Sequence, residues 1–139
     1  MKSGISKLHT HVLIMKTMLC TALMLFAFQS NSAETQIMLK HEDYNTPAIL
    51  NLPGNGQPVA AVLMLHGTAS HKNEVGNLYQ RLAARLSEEG IASLRIDFAG
   101  TGDSPVSYMD YTLESAVRDA QSALDYLKQE QGITHAGVL

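Results

Sequence analysis

Three strand-like units mark this chain, and the first of them is a continuous apolar run. Val59-Ala60-Ala61-Val62-Leu63-Met64-Leu65 breaks at His66-Gly67, and Ile91-Ala92-Ser93-Leu94-Arg95-Ile96-Asp97-Phe98 breaks at Ala99-Gly100. Thr134-His135-Ala136-Gly137-Val138-Leu139 is the third. A strand apolar on both faces suits a parallel sheet, where helices cover both sides. The segments between them have helical periodicity. Leu78, Leu82 and Leu86 recur on one face, broadened by Tyr79, Ala83 and Ala84, and Gly90 stops the pattern. Leu113, Ala116, Val117, Ala120, Leu124 and Leu127 form a second face, with Thr112 placed to cap it, Glu114 in the first turn and Gly132 at its end. The pattern predicts parallel strands over 59–65, 91–97 and 135–139, alternating with helices over 76–89 and 112–130. Right-handed crossovers follow from that alternation. Upstream, Thr35–Lys40 and Ala48–Leu52 are short strand candidates, with a turn expected at Asn45-Thr46-Pro47. They predict an N-terminal hairpin, set off from the first long strand by the breaker cluster Pro53–Pro58.

Residues 1–33 have a different character. Lys2, Lys7 and Lys16 stand without an acidic residue, Met18 to Phe28 is almost wholly apolar, and Gln29-Ser30-Asn31-Ser32-Ala33 follows. Basic, apolar, then small and polar is the order of a secretory signal peptide. Cleavage near Ser32 or Ala33 is expected, with Met15-Lys16 as an alternative start and a secreted or periplasmic product. An uncleaved anchor is the competing reading, but the apolar stretch is short of the ~20 residues that a span needs. The expected organisation is therefore a leader over 1–33 and one domain over 34–139.

Composition narrows the function. The only cysteine, Cys20, lies in the leader, so a mature chain has no disulfide or thiolate chemistry. Cleavage removes three lysines and no acids from a chain already at a formal charge of -3. With no basic cluster, a nucleic-acid surface is not expected, and neither is stable membrane association after cleavage. No cofactor signal is present. Gly100-Thr101-Gly102 begins like a dinucleotide fingerprint, but Pro105 stands where the last glycine belongs.

The breaks after the strands carry the candidate chemistry. His66-Gly67-Thr68 falls at a strand's carboxyl end, where open α/β sheets bind ligands. The plain alternative is a strand-to-loop turn with a buried, hydrogen-bonded histidine. Ser104 with His66 and Asp97, or Ser70 beside His71, could be offered as a nucleophile–base set. Neither serine lies in a Gly-x-Ser-x-Gly elbow, and no such elbow occurs in the sequence. Loop-stabilising roles are expected for these side chains. Zinc ligation by His66 and His71 lacks a third ligand at suitable spacing, so no metal is expected.

Taken together, His66-Gly67-Thr68 and Arg95-Ile96-Asp97-Phe98-Ala99-Gly100-Thr101-Gly102-Asp103-Ser104 resemble the front half of an α/β-hydrolase. His66-Gly67-x-x-x-His71-Lys72-Asn73-Glu74 is similar to the cinnamoyl/feruloyl-esterase and serine-aminopeptidase-like branches, over about residues 59–139. One departure bears on the acyl pocket, because this chain has Thr68 where the esterase branch has an aromatic residue. The resemblance implies that the Thr68 backbone N–H faces an open crevice and serves a developing oxyanion. It implies that His66, Gly67, Asp97, Gly100, Gly102 and Ser104 shape the supporting loops. In the complete protein it implies a small-molecule ester or amide substrate attacked by a serine. The serine, its acid and its histidine are expected beyond Leu139, so the expected fold is a partial α/β-hydrolase with a truncated sheet and no catalytic residue of its own. Two alternatives are a binding module using the loops at 66–74 and 99–111, and an interaction protein that pairs its last strand with a partner.

Overall fold

The computed structural model describes residues 33–139, apart from 55, 56, 59 and 130. The leader reading therefore lies outside the described residues except for Ala33, which opens the first strand. The elements are β1 (Ala33–Lys40), β2 (Asn45–Leu52), β3 (Ala61–Met64), α1 (Leu78–Glu88), β4 (Ala92–Ile96), α2 (Leu113–Gln129) and β5 (Ala136–Val138). Single 3-10 turns at Val75–Asn77 and Tyr108–Asp110 precede the two helices.

One five-stranded sheet has the order β1-β2-β4-β3-β5. β1 pairs antiparallel with β2, and β2 with β4. β3 runs parallel to both β4 and β5, with Leu63 opposite Leu94 on one side and Val138 on the other. The three predicted strands are thus the parallel trio that the sequence predicts, joined by the two predicted helices. The mixed α/β architecture is a partial α/β-hydrolase fold.

The hairpin corrects one expectation. Asn45, Thr46 and Pro47 are not a turn but the first residues of β2. The turn is His41–Tyr44, closed by His41 N–H to Tyr44 O (3.0 Å). Pro47 has no N–H to donate, and it stands where β4 ends, so only its carbonyl is used, by Asp97 N–H (2.9 Å).

The core lies between the sheet and α2. Leu50, Ala61, Leu63, Ala92, Leu94 and Ile96 from three strands meet Ala123 and Leu127. The buried stripe of α2 is Ser115, Asp119, Ala123 and Leu127, while Leu113 and Val117 are exposed. The predicted apolar face is therefore rotated, because two polar side chains occupy its centre. α1 is rotated too: Ala83 and Ser87 are buried and Leu78 is exposed. Small residues at the contact let this helix lie close to the strands, and Ser87 Oγ donates to Leu52 O (3.4 Å). Thr112 caps α2 as predicted, its Oγ1 accepting Ser115 N–H (3.1 Å).

Candidate active-site loops

The loops after β3 and β4 leave the same end of the sheet, since the two strands are parallel neighbours. His66 is the last buried residue of the β3 segment. Its ring lies edge-on to Phe98, with centroids 4.8 Å apart. Nδ1 is 2.8 Å from Gly67 O, and Nε2 lies within reach of Phe98 N–H (3.2 Å) and Thr101 Oγ1 (3.0 Å). A neutral ring with its proton on Nδ1 satisfies this set: it donates to Gly67 O and accepts from Phe98. Both nitrogens are then committed, and the ring fastens one loop to the other.

Gly67 O also accepts Ser70 N–H (3.2 Å), which closes a turn with Thr68 and Ala69 at its corners. Corner N–H groups are not used by such a turn. Thr68 is exposed, and among the described residues no acceptor pairs with its N–H. Gly67 N–H differs, for it donates to Glu74 Oε1 (2.8 Å), and Val75 N–H donates to Glu74 Oε2 (2.9 Å). Those bonds to backbone N–H, Gly67 first, hold the Glu74 carboxyl below its ordinary value.

Asp97, at the end of β4, is fully buried. Its Oδ1 accepts Lys72 N–H (2.6 Å), and its Oδ2 accepts Lys72 Nζ and Asp103 N–H (2.9 Å). Lys72 Nζ also donates to Asp103 Oδ2 (2.6 Å). Burial alone would lower the Lys72 ammonium, but its hydrogen bonds to Asp103 and Asp97 outweigh burial and raise it. The same contact with Lys72 holds Asp103 below its ordinary value. Gly102 lies against this group at φ 51, where a Cβ would fall 2.3 Å from Asp97 Oδ1. Gly100, at φ 75, leaves no space either: a Cβ would be 2.3 Å from Ser107 O. Ser104 Oγ accepts Gly100 N–H (2.9 Å).

Ser104, His66 and Asp97 therefore form no triad: the serine bonds a backbone amide, the carboxylate a lysine, and the histidine two backbone groups. Nor is His71 a base for Ser70, since its Nδ1 takes Asn73 N–H (3.3 Å). Three residues that hold these loops were not singled out from the sequence. Lys72 and Glu74 lie within the quoted motif, but their partners are fixed only by the fold. Asp119 had no sequence signal. Fully buried on α2, it accepts Tyr44 OH and Thr46 Oγ1 at Oδ1 (2.7 Å each) and Ala99 N–H at Oδ2 (2.8 Å). His41 Nε2 is 3.2 Å from Oδ1. Burial, then the bond to Asp119, pushes the Tyr44 phenol up to about 12.

The sequence has a counterpart in a known family. The sequence profile of the serine aminopeptidase S33 family matches residues 56–139. The chain belongs to this α/β-hydrolase family. Solved structures share the fold of the S33 chain. Est1E from Butyrivibrio proteoclasticus, with bound ferulic acid, superposes with a TM-score of 0.66 at 24% identity, over 73% of this chain and 41% of its own. A cold-adapted esterase from an Arctic intertidal metagenomic library gives 0.66 at 23% identity, over 77% and 49%. The Pyrococcus furiosus esterase gives 0.60 at 22% identity, over 78% and 40%. An uncharacterized protein of Saccharomyces cerevisiae is 58% identical over 43 residues, which are 30% of this chain and 12% of that protein. The chain thus spans less than half the length of these relatives. Among the described residues no helix is long and apolar enough to cross a membrane.

Proposed function

We propose that this chain forms the oxyanion-side portion of a serine hydrolase acting on small carboxylic esters or amides, with Thr68 N–H as one oxyanion donor. The observation that carries the reading is the pair of clamped loops. Gly67 N–H is consumed by Glu74, the corner amide of Thr68 is left unpaired and exposed, and the whole turn is fastened to the β4 loop through His66 and Lys72. A preorganised backbone donor of this kind acts on charge that develops in the transition state, and removal of one costs about 10²–10³ in kcat. His66, Gly67, Asp97, Gly100, Gly102 and Ser104 support the loops. The nucleophile, its base and its acid are not among these residues. Membership of the S33 family and the esterase neighbours support the reaction class. Export to the periplasm or beyond belongs to the same proposal and rests on the order of residues 1–33.

The test is to read the genomic DNA past the codon for Leu139 in all three frames and express the extended polypeptide. A downstream Gly-x-Ser-x-Gly is expected, with p-nitrophenyl-ester turnover that is lost when its serine is replaced. Thr68→Pro, which deletes the N–H, should lower kcat by about 10²-fold in that polypeptide. If no frame supplies an elbow, the enzyme reading falls, and a binding module built on the loops at 66–74 and 99–111 takes its place. N-terminal sequencing of the secreted product should begin between Ala33 and Thr35; a product retaining Met18 to Phe28 would contradict cleavage.

A further inference from the structure

We propose that Glu74 is the positioning residue of the loop after β3: its carboxylate occupies Gly67 N–H and latches the turn, so that the corner amides, Thr68 N–H among them, are left free. The role of Thr68 N–H as a donor rests on the hydrolase reading above; the latch is a property of this chain alone. Two independent features point to Glu74. Its carboxylate spans the loop, with one oxygen on Gly67 N–H at the start and the other on Val75 N–H at the end. Its backbone is at φ 56, ψ 173, a region that is essentially glycine's. A glutamate in such a conformation is kept there by its surroundings. Here His71 O accepts Glu74 N–H (2.8 Å), Glu74 O accepts Asn77 N–H (3.1 Å), and Asn73 O accepts Tyr79 N–H (3.1 Å). Glycine would adopt this backbone without strain, but only a carboxylate two methylenes long supplies both bonds.

Gly67 is not merely making room for the carboxylate. A Cβ at that position would lie 3.6 Å from Glu74 Oε1, an ordinary contact. The bond is made to the backbone, so its effect is to decide which amide of the turn is spoken for. The titratable groups facing Glu74 are His66, at the end of β3, and Tyr79, on α1, whose own phenol is raised by burial and then by the Glu74 charge. Because the Glu74 value is depressed, the latch is complete above the ordinary value of 4.5 and opens as pH falls through the lower folded value. The latch is therefore closed at neutral and mildly acidic pH.

The experiment is a pH titration of the ¹⁵N-labelled 139-residue chain by NMR, with amide exchange rates measured at neutral pH and circular dichroism recorded at each pH. The Gly67 and Val75 amide shifts should follow a single inflection below 4.5 while the dichroism is unchanged. Thr68 N–H should exchange several-fold faster than Gly67 N–H. Glu74→Gln should abolish the inflection and raise Gly67 exchange several-fold. A Gly67 amide blind to the carboxylate, or a Thr68 amide as protected as Gly67, would overturn the latch. The wild-type titration decides the matter even if the variant does not fold. If the latch fails while the extended polypeptide still depends on Thr68 N–H for turnover, the hydrolase reading stands without it.

Discussion

The two loops at the carboxyl end of the sheet meet the same backbone demand in opposite ways. The loop after β4 places glycine at each positive φ, Gly100 and Gly102, and uses the space their missing side chains leave for a buried carboxylate and a close backbone crossing. The loop after β3 uses glycine only once, Gly76 at φ 63, and sets Ala69 at φ 59, Glu74 at φ 56 and Asn77 at φ 56. Such residues cost on the order of 1–3 kcal/mol each and persist only where neighbours over-determine them. The β4 loop is a relaxed, close-packed buttress. The β3 loop is strained and is held by ties from side chains: His66 across to Phe98, Lys72 across to Asp97, and Glu74 back to Gly67. Strain is kept in the loop that carries the candidate donor, and packing in the loop that supports it.

The β4 buttress is the more sensitive of the two loops. Gly102→Ala puts a methyl group on the Asp97 carboxylate in a conformation that alanine rarely adopts, and should cost about 3 kcal/mol or more by urea denaturation. A loss under about 1 kcal/mol would mean that the buttress is not close-packed. Asp97→Asn comes next. It leaves the Lys72 ammonium buried with its charge partner reduced to the exposed Asp103, and should cost about 3 kcal/mol.

Asp119→Asn probes the β4 loop from beneath. It turns one buried acceptor into a donor that faces Ala99 N–H or the hydroxyls of Tyr44 and Thr46, and should cost about 2 kcal/mol. Tyr44 reports the change. Its phenol, raised to about 12, adds stability that is fully present below its ordinary value of 10.0 and is lost as pH rises toward 12. In the variant the ultraviolet titration of Tyr44 should move back toward 10. The smallest effect on stability is expected at the strained loop itself. Glu74→Gly removes the strain and the latch together, so the denaturation midpoint should hardly move while Gly67 exchange accelerates. A large loss of stability would show that the β3 loop is a buttress as well.

How much of this could be read from the sequence follows the same divide. The parallel trio was legible because Val59 to Leu65 is apolar throughout and two further strand-like units, Ile91 to Phe98 and Thr134 to Leu139, alternate with segments of helical periodicity, and the hydrolase family because His66-Gly67 and the Asp97–Ser104 run stand at the ends of two of those strands. The turn at Asn45-Thr46-Pro47 was misplaced because turn-forming residues there serve a strand: Thr46 reaches Asp119, 73 positions away, and the Pro47 carbonyl ends the ladder. The centre of α2 was misplaced for the same reason. Hydrophobic periodicity cannot see Asp119, a polar residue buried because its partners arrive from the hairpin and from Ala99. The roles of Lys72 and Glu74 depend on which backbone amides come within 3 Å, and the sequence does not carry that distance.

We propose that these 139 residues supply the oxyanion side of the site and no nucleophile. Incubation of the purified chain with a p-nitrophenyl ester and with a fluorophosphonate probe tests it directly. Hydrolysis no faster than buffer and no labelled serine are expected, because a donor without a nucleophile gives only residual electrostatic assistance. Turnover that the probe abolishes, with label on Ser70, Ser104 or any other serine of the chain, would contradict it.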